Sequence, residues 1–479
     1  MRISVRLLFA ILLFTAIFGM TLRPIADPDF WWHLRTGELI VESGSIPHSD
    51  PFSFTQTGKQ WVAHEWLTEV LFYRIFQVGG TALLILCFST IIAASFWFIY
   101  RNCVQESRPY AAGFALLLGA LATAPTWGVR PQMITFLLTS VTLFLLERYR
   151  QNRDWKYILP LPFLVLLWVN MHAGYLTFFM IAGIYTLDEL WTYLSARNHR
   201  LSPSAIPVLS LGTALSGSLL ASLINPNGYH ILVYPFETLT SPSMQQFIQE
   251  WFSPDFHQVE WQPFAWFLLA MIALALAGRK PIRLTRILLA VLTGYAGLMS
   301  MRNAPIFIAV ATPILAEQIS ALFKFQPKPT SAPRATRWMN PLLSVLALLA
   351  VSLQYVVVLQ KQPEVEQELF PKNAVTWISA STPPGHILNP YRWGGYLIWE
   401  LYPRYQVYID GRADLYGDQF IYDYLSIYQA LPGWESKLAT AEVNTVIVER
   451  GEPLDIALSN EPSWKLSFQD DISAVYVRK

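Results

Sequence analysis

Long apolar stretches alternate with short polar ones along the first 360 residues of the chain. About 20 mostly apolar residues are enough to cross a bilayer as a helix. By this criterion the pattern predicts about eleven transmembrane helices, at 4–22, 81–100, 110–126, 131–147, 157–170, 173–193, 203–223, 262–278, 287–300, 304–323 and 339–358. The chain is therefore predicted to be an α-helical polytopic membrane protein.

The pattern becomes mixed after residue 360, as in a water-soluble segment. Short runs rich in Val, Ile and Tyr are typical of strands, and longer periodic runs are typical of helices. Strands are predicted at 386–389, 406–410, 443–449 and 474–478, and helices at 364–379 and 420–430. We therefore predict a transmembrane domain over residues 1–360 and a C-terminal α/β domain over residues 361–479.

Composition supports a membrane protein and excludes some other classes. The chain is 53% hydrophobic and 14% charged, whereas soluble domains are nearer a quarter charged. The net charge of +1 gives no indication of nucleic-acid binding. Cys87 and Cys103 are too few for a disulfide framework and are interpreted as inert thiols. No small-residue cleavage site follows the first apolar run, which favours a retained first span over a signal peptide.

Charge alternates between successive loops, and this predicts the orientation of the chain in the membrane. Cytoplasmic loops of membrane proteins carry an excess of Lys and Arg. The even-numbered loops are cationic, as with Arg148, Arg150 and Arg153, whereas the odd-numbered loops are mainly acidic. The N-terminus is therefore predicted to be cytoplasmic, with the first loop and the C-terminal domain outside.

The first outer loop, residues 23–69, concentrates acidic, histidine and tryptophan residues. Residues 30–42 and 61–73 each fit an amphipathic helix lying along the membrane surface. Asp29 and His33 are one turn apart on the first of these helices. An acidic aromatic loop beside the membrane is where a membrane enzyme would keep its chemistry.

Asp27 and Asp29 have three interpretations, which the sequence leaves open. Asp29 precedes a helix and could be its N-cap. Either carboxylate could be a general base, which contributes about 10²–10⁴-fold to a rate. Asp27, Asp29 and His33 could also bind a divalent metal.

Further polar residues fall near span ends on the predicted outer face, where they suggest a cleft open to the outside. Polar groups near membrane depth are costly and tend to face a cavity. The candidates for substrate binding in the membrane domain and first loop are His33, His64, Glu65, Arg130, His172 and Arg302. For the histidines, a packing role is the commoner alternative.

The C-terminal domain adds Arg392, Asp410 and Arg412, which lie among aromatic residues. Aromatic faces with carboxylates and arginines suit the recognition of carbohydrate or another polar acceptor. The alternative is a structural network in which Arg412 pairs with Asp410 or Asp414 and docks the domain onto the helices.

The arrangement resembles the GT-C superfamily of integral-membrane glycosyltransferases, and in particular its protein-mannosyltransferase-like branch. The likeness rests on the acidic pair after the first span, the surface helices, the many spans and the outer α/β domain. It is closer still to an uncharacterised bacterial group, and the motifs that carry this resemblance are 27–33 (DPDFWWH), 50–53 (DPFS), 64–67 (HEWL), 130–132 (RPQ) and 410–414 (DGRAD). Asp27 and Asp29 are separated by Pro28, where adjacent acids are usual in the superfamily.

The resemblance implies transfer of a sugar from a polyprenyl-phosphate-linked donor to a glycan, lipid or protein acceptor. It implies Asp29 as the general base, with inversion at the anomeric carbon. Arg130 and Arg302 are then the candidates to bind the leaving lipid phosphate, since a guanidinium can hold phosphate bidentately. The expected location is the outer face of a bacterial cytoplasmic membrane.

Two other classes of protein remain as alternatives. A transporter or flippase of a lipid-linked substrate would be expected to carry charged residues within its spans or paired broken helices. A non-enzymatic membrane assembly factor would tolerate substitution of Asp27 and Asp29. A surface-glycan polymerase or ligase is disfavoured, because it would be expected to carry its largest outer loop later in the bundle, whereas here the first loop is the elaborate one.

Overall fold

The computed structural model describes residues 3–106, 108–198, 204–278, 280–323 and 336–479, and these residues are mostly helical. The helices are α1 Val5–Thr21, α2 Phe30–Ser43, α3 Trp66–Glu106, α4 Pro109–Thr123, α5 Gln132–Asn152, α6 Leu161–Val169, α7 Leu176–Asn198, α8 Ile206–Ser222, α9 His230–Leu239, α10 Pro242–Phe247, α11 Gln262–Ala277, α12 Leu284–Met299, α13 Ala304–Leu322, α14 Thr336–Leu369, α15 Lys372–Ser381, α16 Gly394–Leu401, α17 Ala413–Tyr416, α18 Asp418–Tyr428, α19 Trp434–Thr440 and α20 Pro453–Asn460. The strands are β1 His386–Leu388, β2 Val443–Glu449, β3 Trp464–Gln469 and β4 Ser473–Arg478.

Several of these helices can cross a membrane, so the chain is a multi-pass membrane protein. Five segments in the described part of the chain are long and apolar enough, namely Trp66–Val104, Pro109–Thr126, Val259–Ala277, Met301–Leu322 and Trp338–Leu369. Four shorter apolar helices accompany them. A helix lies at each of the eleven predicted positions, although the number that span the membrane stays a prediction.

The second predicted surface helix, at 61–73, differs from the observed structure. Residues 61–65 are not helical, because the Trp61 N–H donates to the carbonyl of His48 and holds this segment in a loop. The helix begins at Trp66 and continues into the apolar run, with non-helical backbone angles at Gly79 and Gly80. Gly80 has a φ of 61°, a conformation that glycine adopts without strain. The first predicted surface helix, 30–42, matches α2.

Contacts between Cα atoms divide the chain into two compact units. The first comprises Met1–Arg23, Ile85–Gly228 and Gln249–Val358, and the second comprises Pro24–Leu84, Tyr229–Ile248 and Leu359–Lys479. The second unit thus joins the first outer loop to the C-terminal segment, which the sequence pattern alone had assigned to different domains. The division into these units depends on contacts between residues that are far apart in the chain, and such contacts cannot be read from the sequence pattern.

Small residues let the helices of the first unit approach closely. At Gly119 of α4, an added Cβ would lie 2.8 Å from Ile308 and 2.9 Å from Thr312, both on α13. Such small-residue contacts are a common way for membrane helices to pack, because the lipid supplies no hydrophobic drive for their association. Helix α11 packs against the same two helices.

The second unit contains a four-stranded mixed sheet in the order β1-β2-β4-β3. Strand β1 is parallel to β2, and the β2–β4 and β4–β3 pairs are antiparallel. Three of the four predicted strands are present, but residues 406–410 make only two isolated bridges, both at Val407, to Ser53 and to Ile387. The fourth strand is instead β3, which lies mostly at an exposed edge and alternates too weakly for the pattern to indicate it.

Helix α2 is anchored in the second unit by aromatic side chains. Trp31 is buried and makes edge-to-face contacts with Tyr396 of α16 and with Phe370, at centroid distances of 5.2 and 5.8 Å. The side chain of Gln362 bonds both the N–H and the carbonyl of Ile25, at 2.7 and 3.2 Å. These contacts fix the stretch that leads into α2, and with it the position of Asp29.

Candidate functional site

Asp29 lies directly before α2, but its side chain does not cap the helix. The residue has helical backbone angles, φ −75° and ψ −20°, and makes no capping hydrogen bond, whereas an N-cap is normally extended. Its Oδ1 instead accepts a hydrogen bond from Trp32 Nε1 at 3.1 Å. Its N–H donates to Oδ1 of Asp27 at 3.0 Å. The two carboxylates therefore have different surroundings, and Asp27 serves the turn before the helix.

Two glycines of the C-terminal segment make room for the acidic stretch. A Cβ at Gly411 would collide with Oδ1 of Asp29, and a Cβ at Gly395 would lie 2.6 Å from the carbonyl oxygen of Pro28. Both glycines have ordinary backbone angles. They are therefore required for close approach and not for an unusual φ. The Asp29 carboxylate lies against the backbone of the 410–412 loop.

Tyr391 lies in the electrostatic field of this carboxylate and contacts the same loop. Its hydroxyl donates to the carbonyl of Gly411 at 3.0 Å. Burial, followed by the negative charges of Asp29, Asp410 and Asp414, raises the pKa of the Tyr391 phenol well above its usual value. The phenol is therefore neutral at physiological pH and acts as a hydrogen-bond donor.

Arg412 is buried within a network of the second unit. Its Nε and Nη2 donate to the two carboxylate oxygens of Asp410 at 2.8 and 2.7 Å. Its Nη1 lies 2.8 Å from Oδ1 of Asp50 in the first outer loop, and its guanidinium stacks over Trp61, 4.7 Å from the ring centroid. Arg412 is only 2% exposed. The pair predicted between Arg412 and Asp410 is present, and the second ion pair, from Arg412 to Asp50, joins the 410–412 loop to the first outer loop.

His33 lies between two glutamates, Glu65 directly before α3 and Glu69 in its first turn. Its Nδ1 is 3.2 Å from Oε1 of Glu69, and its Nε2 is 3.5 Å from Oε2 of Glu65. Gly37, one turn further along α2, has no room for a Cβ because the backbone oxygen of Glu69 occupies that space. Burial disfavours the imidazolium, but the hydrogen bond to Glu69 and the charges of Glu65, Glu69 and Asp29 outweigh it and raise the pKa of His33.

His64 extends this row on the other side of Glu65. Its Nε2 is 3.6 Å from Oε1 of Glu65, and its ring packs on Tyr234 with centroids 4.5 Å apart. Burial again opposes the imidazolium, but Glu65, then the charge of Asp414 and the carbonyl of Val62, raise the pKa of His64 to about 9. Imidazoles and carboxylates thus alternate in the order His64, Glu65, His33, Glu69. Two protonated histidines would balance the negative charge of the two glutamates.

His33, Glu65 and Glu69 form the group among the described residues that could hold a metal ion. Each offers one ligand atom, and the three atoms lie within 4.8 Å of one another. Oε2 of Glu69 is buried and makes no hydrogen bond, which fits a ligand atom. Of the three residues predicted as metal ligands, this group contains His33 and neither Asp27 nor Asp29. Mixed imidazole and carboxylate ligands suit zinc or manganese.

In the first unit, Arg130 and Arg302 contact one short segment, residues 250–251. Arg130 forms an ion pair with Glu250, and the Arg302 guanidinium stacks over Trp251, 4.8 Å from its centroid. The hydroxyl of Ser300 donates to the carbonyl of Glu250 at 2.9 Å and ties the Arg302 turn to the same segment. The structure therefore groups two arginines that are 172 positions apart in the sequence.

The other two predicted residues have partners that account for their position. His172 Nδ1 lies 2.8 Å from the hydroxyl of Thr135 and accepts from the N–H of Gly174, which caps the start of the next helical turn. His172 is 5% exposed. Arg392 donates to Glu449 of β2 at 2.6 Å, and its side chain is 52% exposed. His172 thus has the packing environment anticipated for histidines near span ends.

Sequence reasoning missed four residues that complete these arrangements: Asp50, Glu69, Glu250 and Gly411. Glu69 follows Glu65 at the i,i+4 spacing that places two side chains on one helix face, and this spacing could have indicated it. Asp50 and Gly411 owe their roles to a contact between segments about 360 residues apart. No local signal reports such a contact.

No family model matches the sequence, and no curated relative matches it. The fold, however, is similar to that of solved GT-C membrane glycosyltransferases. The archaeal oligosaccharyltransferase AglB from Archaeoglobus fulgidus, in complex with an inhibitory peptide and a dolichol-phosphate, is 12% identical with a TM-score of 0.58. That match covers 92% of this chain and 69% of AglB.

Two bacterial enzymes give matches of the same kind. ArnT from Cupriavidus metallidurans, bound to undecaprenyl phosphate, is 13% identical with a TM-score of 0.52, and the match covers 98% of this chain and 97% of ArnT. The arabinofuranosyltransferase AftD from Mycobacteria is 14% identical with a TM-score of 0.55, covering 100% of this chain and 42% of AftD. At these identities the comparison establishes a GT-C-like fold.

Proposed function

We propose that this protein is a glycosyltransferase that moves a sugar from a polyprenyl-phosphate-linked donor to an acceptor hydroxyl or amide. The observation that carries the proposal is the environment of Asp29. Its carboxylate does not cap α2, is held by Trp32 and fits against Gly411. The GT-C-like fold supports the donor class, as do the dolichol-phosphate bound to AglB and the undecaprenyl phosphate bound to ArnT.

Asp29 acts as the general base in this proposal. It takes the proton of the acceptor group while the acceptor oxygen or nitrogen attacks the anomeric carbon. The bond from that carbon to the lipid phosphate oxygen breaks, and direct displacement inverts the anomeric configuration. Asp29 is preferred to Asp27 because its carboxylate lies against Gly411, whereas Oδ1 of Asp27 accepts the N–H of Asp29 within the turn before α2.

The leaving phosphate gains negative charge as the bond breaks, and a cation lowers the energy of that state. We assign Arg130 and Arg302 to the stabilisation of this phosphate, since both contact the 250–251 segment. Arg412 and Asp410 are assigned a positioning role, because they pair with each other within a buried network. Arg392 is the exposed member of the predicted set and is assigned to acceptor binding.

His33, Glu65 and Glu69 would hold a divalent cation if the enzyme uses one. Such an ion would supply charge stabilisation to a phosphate group. His64 is assigned to the positioning of Glu65, which it contacts. In this proposal the reaction occurs on the outer face of the bacterial cytoplasmic membrane, and the charge asymmetry of the loops supports that side.

The experiment that tests the proposal measures sugar transfer and transport with the same purified protein in proteoliposomes. The liposomes contain native lipid extract with radiolabelled lipid-linked sugar. We expect the label to leave the lipid fraction and to appear in an acceptor fraction only when protein is present. Movement of intact labelled lipid between leaflets without bond cleavage would indicate a flippase, and neither event would indicate an assembly factor.

A further inference from the structure

A cavity of about 990 Å³ lies within the first unit, where α1 and α4 begin and α11 and α13 end. Its walls are apolar except at one end. Arg6, Arg108, Tyr110 and Ser320 supply the polar side chains, and none of its described lining residues is acidic. The remaining lining residues are alanine, leucine, isoleucine, phenylalanine and proline. The volume lies at the upper end of the range for small-molecule sites.

The charged and apolar ends of the cavity are separated along the helix axis. Arg108 is the residue before α4, while Leu118 is ten residues further along the chain. At a rise of 1.5 Å per residue, these two positions are about 15 Å apart. Ala270 and Leu274 are one turn apart on α11 and line the apolar part. The cavity is therefore amphipathic, with two cations among the residues at one end and apolar side chains along the rest.

These features match a phosphate group carrying a long hydrocarbon chain. Guanidinium groups bind phosphate through paired hydrogen bonds. Basic pockets between transmembrane helices on the cytoplasmic side are known to bind anionic lipid head groups. Arg6 lies in the first turn of α1 and Arg108 directly before α4, and both positions belong to the side of the membrane predicted to be cytoplasmic.

We propose that this cavity binds an anionic phospholipid, with its phosphate on Arg6 and Arg108 and one acyl chain along Leu118 and Leu274. The proposal is independent of the proposed transfer reaction. A bound lipid would fill the space between four helices at their ends and so hold α1 against the bundle. A neutral lipid would gain the apolar contacts but not the contacts to the two arginines.

The test is native mass spectrometry of the full-length protein released from nanodiscs with equal amounts of phosphatidylglycerol and phosphatidylcholine. We expect the wild type to retain one phosphatidylglycerol in preference to phosphatidylcholine. In the R6Q/R108Q double variant the preference should fall roughly tenfold or more, since each arginine near a membrane surface contributes about 1 kcal/mol. Ala270→Phe should displace either lipid, because the ring occupies the chain's space.

Arg283→Gln is the matched control, because Arg283 is an exposed cation before α12 that does not line the cavity. It should retain the wild-type preference. Equal retention of the two lipids by the wild type would overturn the proposal, as would an unchanged preference in R6Q/R108Q. Displacement of phosphatidylglycerol by millimolar inorganic phosphate would show instead that the arginines bind a free anion and would also overturn the proposal. None of these outcomes depends on sugar transfer, so they test lipid binding separately from the proposed reaction.

Discussion

The carboxylate of Asp29 lies against the backbone at Gly411, so closely that no side chain fits at residue 411. The two residues are 382 positions apart in the sequence, yet they belong to one compact unit. A glycine at this point lets the C-terminal loop define one side of the space beside the carboxylate. The C-terminal segment is therefore part of the candidate site.

Gly411→Ala should reduce sugar transfer by roughly 10²-fold, because a Cβ would push the Asp29 carboxylate out of place and small displacements are costly in catalysis. Turnover and folded yield are measured together, the latter by gel filtration in detergent. Gly212→Ala is the control, since a Cβ there meets no neighbouring atom. Wild-type turnover in G411A would show that the close approach has no functional role.

Arg412→Met should destabilise the protein by about 3–5 kcal/mol, since it leaves the buried carboxylates of Asp410 and Asp50 without their cation. The measurement is thermal unfolding in detergent. Arg392→Gln removes a half-exposed ion pair with Glu449 and should cost at most about 1 kcal/mol. Similar losses in both variants would contradict the assignment of Arg412 to a buried network.

Arg130→Lys and Arg302→Lys should each lower transfer roughly tenfold or more, since lysine keeps the charge but loses the planar fork that holds phosphate. Steady-state assays at several donor concentrations separate donor binding from turnover. Arg153→Lys alters a partly exposed pair with Glu189 in the same unit and serves as the control. Full activity in both test variants would remove these arginines from the mechanism.

The stability of the protein should fall as pH rises above neutrality, and His64 should account for part of this fall. A free histidine titrates near 6.5, whereas the pKa of His64 in the fold is about 9. The imidazolium therefore contributes its full stabilisation below about pH 6.5 and loses it as pH rises through about 9. Thermal unfolding of wild type and His64→Gln from pH 6 to 10 measures this contribution. The difference between them should shrink with rising pH, and a constant difference would contradict the assignment.

The sequence predicts much of this fold because membrane helices are defined by composition. Runs of about 20 apolar residues can be recognised directly in the sequence. A helix lies at each of the eleven predicted positions. The strand β3 was missed because its residues are mostly exposed and do not alternate cleanly. The surface helix at 61–73 was wrong in its first part, since a main-chain bond from Trp61 to His48 competes with the helical pattern.

The site was less predictable, because it depends on which distant segments meet. Asp29, His33 and Glu65 stand out in the sequence by residue type and position in one loop. The pairing of Arg412 with Asp50, and the fit of Asp29 against Gly411, require contacts across about 360 residues or more. Periodicity and charge patterns are local, so they carry no information about such contacts.

Comparison of Asp29→Asn with Asp27→Asn tests the central claim most directly. Sugar transfer from native lipid extract is measured in membranes, with folded yield checked by gel filtration. Asparagine keeps the size of the side chain and removes its basicity. We expect Asp29→Asn to lose about 10²–10⁴-fold in rate at normal yield, and Asp27→Asn to retain most of its activity. Full activity of Asp29→Asn, in a preparation whose wild type transfers sugar, would contradict the assignment of Asp29 as the base.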